Sequence, residues 1–147
     1  MNLKENLGIT GELTIQVFDE TGNLKSATKV PNLVVTVGKN YIASRMVGTA
    51  STVMSHMAIG TGTGTPIAGD TTLGTEAGRV ALTAFTASTN TVTATATFPA
   101  GTGTGAITEA GILNNSSGGT LMCRTTFPVV NKAAGDSIAI TWVVTVS

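Results

Sequence analysis

Thr91-Val92-Thr93-Ala94-Thr95-Ala96-Thr97-Phe98 carries the clearest mark of the fold class. Apolar and hydroxyl side chains alternate without a break, and successive side chains of a strand point to opposite faces. Val92, Ala94, Ala96 and Phe98 therefore share one face, and Thr91, Thr93, Thr95 and Thr97 the other. A helix would scatter the four threonines around its circumference. The stretch reads as a strand with one face on a core and one toward water or a partner. Residues 79–86 supply a preceding arm, with Ala87-Ser88-Thr89-Asn90 at the hairpin tip. The last residues repeat the pattern: Ile138, Ile140, Trp142, Val144 and Val146 oppose Ala139, Thr141, Val143 and Thr145. So apolar a strand is expected inside a sheet, because an exposed edge of this kind invites aggregation.

Working outward, residues 12–19 place Leu13, Ile15 and Val17 on one face, and Asp19-Glu20-Thr21-Gly22-Asn23 is a turn signal. Residues 24–30 can return as a second strand before Pro31-Asn32 breaks the pattern. Further strands are expected at residues 53–59, 106–113 and 121–130. One helix is expected over about 37–47, with Thr36 as N-cap, Val37, Tyr41, Ile42 and Met46 as its buried stripe, and Gly48 as its stop. The expected fold is all-β: a single-domain β-sandwich or jelly-roll-like fold of about eight or nine strands with one short helix. Residues 9–147 would form that domain and residues 1–8 an N-terminal arm.

Composition agrees. Only 11% of the 147 residues are charged, less than half of the usual ~25%. Thr, Gly, Ala and Ser fill the difference, and disorder, which needs high charge and low hydrophobicity, is disfavoured. Eight basic residues balance eight acidic ones. No cationic stripe exists to displace counterions from phosphates, so nucleic acid is not an expected partner. No run of ~18 apolar residues suggests a membrane span. Residues 1–7 carry Lys4 and Glu5 and lead into no apolar segment, so no secretory signal is expected.

Chemistry is sparse. The lone His56 and lone Cys123 sit in expected strands, the thiol alternating with Leu121, Thr125 and Phe127 as a buried residue would. No nucleophile with an activating base stands out, and no catalytic residue is expected. Asp70, Glu76, Glu109 and Asp136 are too widely spaced for a calcium-loop pattern, so neither metal nor cofactor is expected. Two glycine-threonine loops, Gly60-Thr61-Gly62-Thr63-Gly64 and Gly101-Thr102-Gly103-Thr104-Gly105, contain no lysine and have strands after them. They lack the requirements of a phosphate cradle and read as conformable assembly-contact loops. The first opens a loop of about 14 residues, and loops that long are usually functional. Glu76, Arg79, Glu109 and Arg124 sit in or beside apolar strands, so Glu76 or Glu109 is expected to pair with Arg79 or Arg124, at a sheet corner or a subunit contact. Thr75-Glu76-Ala77-Gly78 also recurs as Thr108-Glu109-Ala110-Gly111.

Several segments together resemble a known group. They are Asn32-Leu33-Val34-Val35-Thr36-Val37-Gly38-Lys39-Asn40, His56-Met57-Ala58-Ile59-Gly60-Thr61-Gly62 and Asp70-Thr71-Thr72-Leu73-Gly74-Thr75-Glu76. Thr108-Glu109-Ala110-Gly111-Ile112-Leu113-Asn114, Arg124-Thr125-Thr126-Phe127-Pro128-Val129-Val130-Asn131-Lys132 and the Trp142 strand complete the order. It resembles small virion structural proteins of tailed bacteriophages. The resemblance implies a virion location, assembly in the host cytoplasm, and no catalytic residues. The first expectation is a capsid decoration, or cement, protein bridging capsomers. It would bind the major capsid protein and copies of itself, and a trimer would suit a local threefold axis. A tail- or fibre-associated protein is the alternative, and a carbohydrate-binding module the third reading.

Overall fold

Residues 3–49 and 52–147 are described by a computed structural model. The chain runs β1 (Ile9–Phe18), β2 (Leu24–Pro31), β3 (Leu33–Val34), α1 (Thr36–Met46), β4 (His56–Gly60) and β5 (Glu76–Ala81). It continues through β6 (Ala84–Ser88), β7 (Thr91–Phe98), β8 (Gly105–Leu113), β9 (Leu121–Lys132) and β10 (Ser137–Val146). Among the described residues, ten strands form two five-stranded antiparallel sheets, ordered β2-β1-β10-β7-β6 and β3-β9-β8-β4-β5. The architecture of the described residues is an all-β sandwich with one short helix.

The alternating faces pack as their spacing requires. Leu13, Ile15 and Val17 of β1, Ala94, Ala96 and Phe98 of β7, and Ile138, Ile140, Trp142 and Val144 of β10 all point inward. They meet Met57, Ile59, Ile107, Ala110, Ile112, Cys123, Phe127 and Val130 of the second sheet. Each large apolar side chain so buried contributes about 1.5–3 kcal/mol. The β10 strand lies between β1 and β7, inside its sheet. Trp142 is fully buried, and its Nε1–H donates to Asn32 Oδ1 at 2.9 Å, which satisfies the one polar atom of the ring.

Three sequence expectations change. The arm expected over 79–86 is two strands in different sheets, β5 beside β4 and β6 beside β7. Leu82 N–H donates to the Ser55 carbonyl and Thr83 N–H to the Thr95 carbonyl, so consecutive amides serve opposite sheets. The hairpin turn itself is only Thr89-Asn90, with Thr89 at φ 51. Thr36 is the first helical residue rather than the N-cap; Val35 holds that place without a side-chain bond. The Ala68 carbonyl accepts the Thr36 amide at 2.8 Å, which satisfies the first of the free amides at this helix end. Within α1 Tyr41 is buried and Ile42 packs against the core, but Met46 is exposed. Instead Gly38 lies against β9, where any Cβ would collide with the Met122 carbonyl.

Of the expected arm 1–8, residues 1 and 2 lie outside the described residues. Leu3 to Leu7 are exposed without regular structure, whereas Gly8 exchanges backbone hydrogen bonds with Ser147 and extends the β1–β10 ladder.

Candidate functional site

The β8 strand is buried on both faces from Ile107 to Leu113, although only its inner face meets the other sheet. Its outer face is covered by the loop of residues 61–75. Leu73 from this loop packs with Val35, Ala58, Leu113 and Leu121 in a second, smaller apolar cluster that α1 borders through Val37.

A buried ion pair fastens the loop. Glu109 on β8 is fully buried and Arg124 on β9 nearly so. Gly111 stands opposite Arg124 in register, which puts Glu109 and Arg124 diagonally adjacent on the outer face. Arg124 Nη2 lies 2.9 Å and Nε 3.1 Å from Glu109 Oε2. The other donors to Glu109 are loop amides: Gly62 and Thr75 donate to Oε1 at 2.9 and 2.7 Å, and Gly74 donates to Oε2 at 2.8 Å. Arg124 reaches on into the loop, to Asp70 Oδ2 at 2.7 Å and the Gly64 carbonyl at 3.1 Å. The Thr108 hydroxyl donates to the Gly62 carbonyl at 2.8 Å, and Thr61 N–H to the Thr75 carbonyl at 2.9 Å closes the neck. A side chain at Gly60 or Gly62 would collide with the Glu109 carboxylate, so both positions need glycine for close approach.

The electrostatics follow from these contacts. Burial pushes the Glu109 carboxyl up, but the Thr75, Gly74 and Gly62 amides and Arg124 outweigh it and hold the group below its ordinary value. Asp70 is likewise raised by burial, then brought below its ordinary value by the Ile67 amide and Arg124. The network is charged at neutral pH, and its buried charges are fully hydrogen-bonded.

The second pair is separate. Arg79 Nη2 lies 2.6 Å and Nε 3.2 Å from the two Glu76 oxygens, while Nη1 donates to the Asn115 and Gly118 carbonyls, both at 2.8 Å. Arg79 thus holds the 114–119 turn as Arg124 holds the 61–75 loop. The repeated Thr-Glu-Ala-Gly segments flank β4 symmetrically, Glu76 and Glu109 both standing opposite Gly60. Only Glu109 carries a covering loop.

The two glycine-threonine loops have different surroundings. In the first, Thr61, Thr63, Gly64 and Thr65 are exposed while Gly62 is buried. In the second, Gly101, Gly103 and Gly105 have φ of 83, 66 and 131, which side chains rarely adopt, and Gly103 is buried beside Ile59 and Gly78. Thr102 is half-buried and Thr104 exposed.

Two charged groups have partners that the sequence does not reveal, one in this network and one outside it. Asp70 is the second carboxylate on Arg124, and Lys132 is buried with Nζ donating to the Pro99 carbonyl at 2.9 Å. Nearby Asp136 accepts from Lys25 at 2.7 Å and from the Ala133 amide at 2.9 Å. Asp70 is 39 positions from Glu109 in sequence, and no local pattern marks the meeting. His56 Nδ1 is 2.8 Å from the Ser55 hydroxyl, and burial pushes the Cys123 thiol up. Among the described residues, no group of three His, Cys, Asp or Glu side chains is placed to hold a metal ion, and no helix is long and apolar enough to cross a membrane. Trp142, Tyr41, Phe98 and Phe127 are buried and offer no stacking platform to a sugar, whereas Phe85 is exposed.

Residues 15–146 match the family described as phage tail-collar fibre protein, N-terminal. The chain belongs to this family. It is a structural protein of the tailed-phage virion, of the tail-associated type. No curated protein and no solved structure matches it. The tail-collar fibre assignment corrects the first functional expectation: it supports a tail or fibre structural protein, the alternative reading, and gives no support to capsid decoration. The family is a structural one, which implies a non-enzymatic role.

Proposed function

We propose that residues 9–147 act as one β domain of a phage tail fibre, seated against a neighbouring virion protein through the outer face of the 61–75 loop. The observation that carries this reading is the asymmetry of that loop. Its underside is fixed by the Glu109 carboxylate and the Arg124 guanidinium. Its upper side presents Thr61, Thr63, Thr65 and Ile67 to solvent. A loop ordered before contact loses less conformational entropy on binding than a flexible one. Hydroxyls beside one exposed isoleucine suit a protein surface better than a charged polymer.

The test is assembly competence. Ile67 and Thr63 are both exposed, so Ile67→Asp and Thr63→Arg are each expected to fold with unaltered circular dichroism. Each is expected to be incorporated into particles at a small fraction of the wild-type level. Full incorporation of both variants would refute the loop as the contact.

A further inference from the structure

The two sheets have four edge strands, and their chemistry differs. The β2 edge carries Lys25, Lys29 and Pro31, and the β5 edge carries Glu76 and Arg79. The β3 edge is two residues long, and β9 beyond it contains Pro128. Charge, proline and brevity are the usual devices that keep a sheet edge from pairing with another chain. The β6 edge, Ala84-Phe85-Thr86-Ala87-Ser88, has none of them, and all five residues are exposed.

Register fixes which groups are free. A two-residue hairpin is closed by a hydrogen-bonded pair, here Ser88 and Thr91, so Thr86 and Ala84 also bond toward β7. Phe85 and Ala87 turn their N–H and C=O outward. We propose that this edge pairs with the same edge of a second copy of the chain, antiparallel and centred on Thr86, joining two first sheets into one. Phe85 of each copy would exchange both backbone bonds with Ala87 of the other.

Three features of the strand favour a second copy as the occupant. Pairing about Thr86 sets the large Phe85, 37% exposed in the single chain, beside the small Ala87 on the same face. The strand has no charge, so like meets like without repulsion, whereas β2 would bring lysines toward lysines. The contact is isologous and closes after two copies. A five-residue edge falls well short of the roughly 800 Å² per partner of a standard interface. The pairing is therefore weak in dilute solution and is favoured where copies are concentrated, as in an assembling particle. This inference stands apart from the 61–75 loop, which lies on the other sheet.

Disulfide trapping tests both the contact and its register. Cys123 is buried and does not compete. In the proposed pairing Thr86 faces its own symmetry mate in a non-hydrogen-bonded pair, with Cα atoms about 4.5 Å apart. That separation lies within disulfide reach. The two Ser88 residues would be four strand positions apart, about 13 Å. Concentrated Thr86→Cys chain under mild oxidation is expected to give a covalent dimer, and Ser88→Cys none. Adding Ala87→Lys to Thr86→Cys is expected to abolish the dimer while the circular dichroism is unchanged. A Thr86→Cys chain that stays monomeric, or equal crosslinking from both cysteines, would overturn the proposal.

Discussion

Replacing Glu109 by Gln tests whether one carboxylate holds the outer-face loop. The change keeps the size of the side chain and removes its charge. In the native chain Oε1 accepts from Gly62 and Thr75, and Oε2 accepts from Gly74 and twice from Arg124. Whichever way the amide is turned, its NH2 faces donors that need an acceptor. Arg124 also loses its most buried counter-charge. Breaking a buried ion pair from one side costs about 3–5 kcal/mol. Arg124 keeps Asp70 at 2.7 Å and the Gly64 carbonyl at 3.1 Å, which places the expected loss near the lower limit, about 3 kcal/mol. With a urea m-value of about 2 kcal/mol/M, the unfolding midpoint falls by about 1.5 M. Amide exchange locates the effect: Gly62, Gly74 and Thr75 should lose protection while the β10 amides keep theirs. A midpoint shift under about 0.3 M, or unchanged protection at those three amides, would show that the Glu109 carboxylate does not hold the loop.

Acid should act on the same network. Glu109 and Asp70 have carboxyls held below their ordinary values near 4.5 and 3.8. Their stabilisation is therefore complete above those values and lost as pH falls through the lower folded-state values. Urea midpoints measured from pH 7 downward should fall in the acid range, and Glu109→Gln should flatten that fall. Gly38→Ala should reverse an ordinary helix rule. An alanine normally favours a helix by about 1 kcal/mol over glycine, but this Cβ meets the Met122 backbone carbonyl, so the thermal midpoint should drop. Cys123 should resist alkylation in the native chain and react on denaturation, because it is fully buried and burial raises its thiol pKa. Labelling followed by mass spectrometry at both conditions measures the difference.

The parts of the fold legible in the sequence are those with a local period. The β1, β7 and β10 strands alternate, and alternation is a property of consecutive residues. The change of sheet between β5 and β6 is invisible on that basis, since no glycine or proline marks Leu82-Thr83. Only the distant acceptors, Ser55 and Thr95, direct the chain to two sheets. Thr36 has the residue type of a helix cap, yet the helix begins one residue earlier than that role allows, and the Thr36 amide is held by the distant Ala68 carbonyl. At the site, Glu109 and Arg124 stood out as charges inside apolar strands. Their shared loop did not, because Gly62, Gly74 and Thr75 are brought to Glu109 by tertiary folding alone. Gly62 was legible as loop glycine, but not as the space that the Glu109 carboxylate requires.

A tail-associated structural domain that presents a pinned loop to a neighbour has a direct signature in the particle. An image of the intact particle at side-chain resolution tests it most directly. Density for this sandwich is expected in the tail or its fibres, with residues 61–75 against another protein. Density on the icosahedral shell, or in the tail with that loop facing solvent, would contradict it.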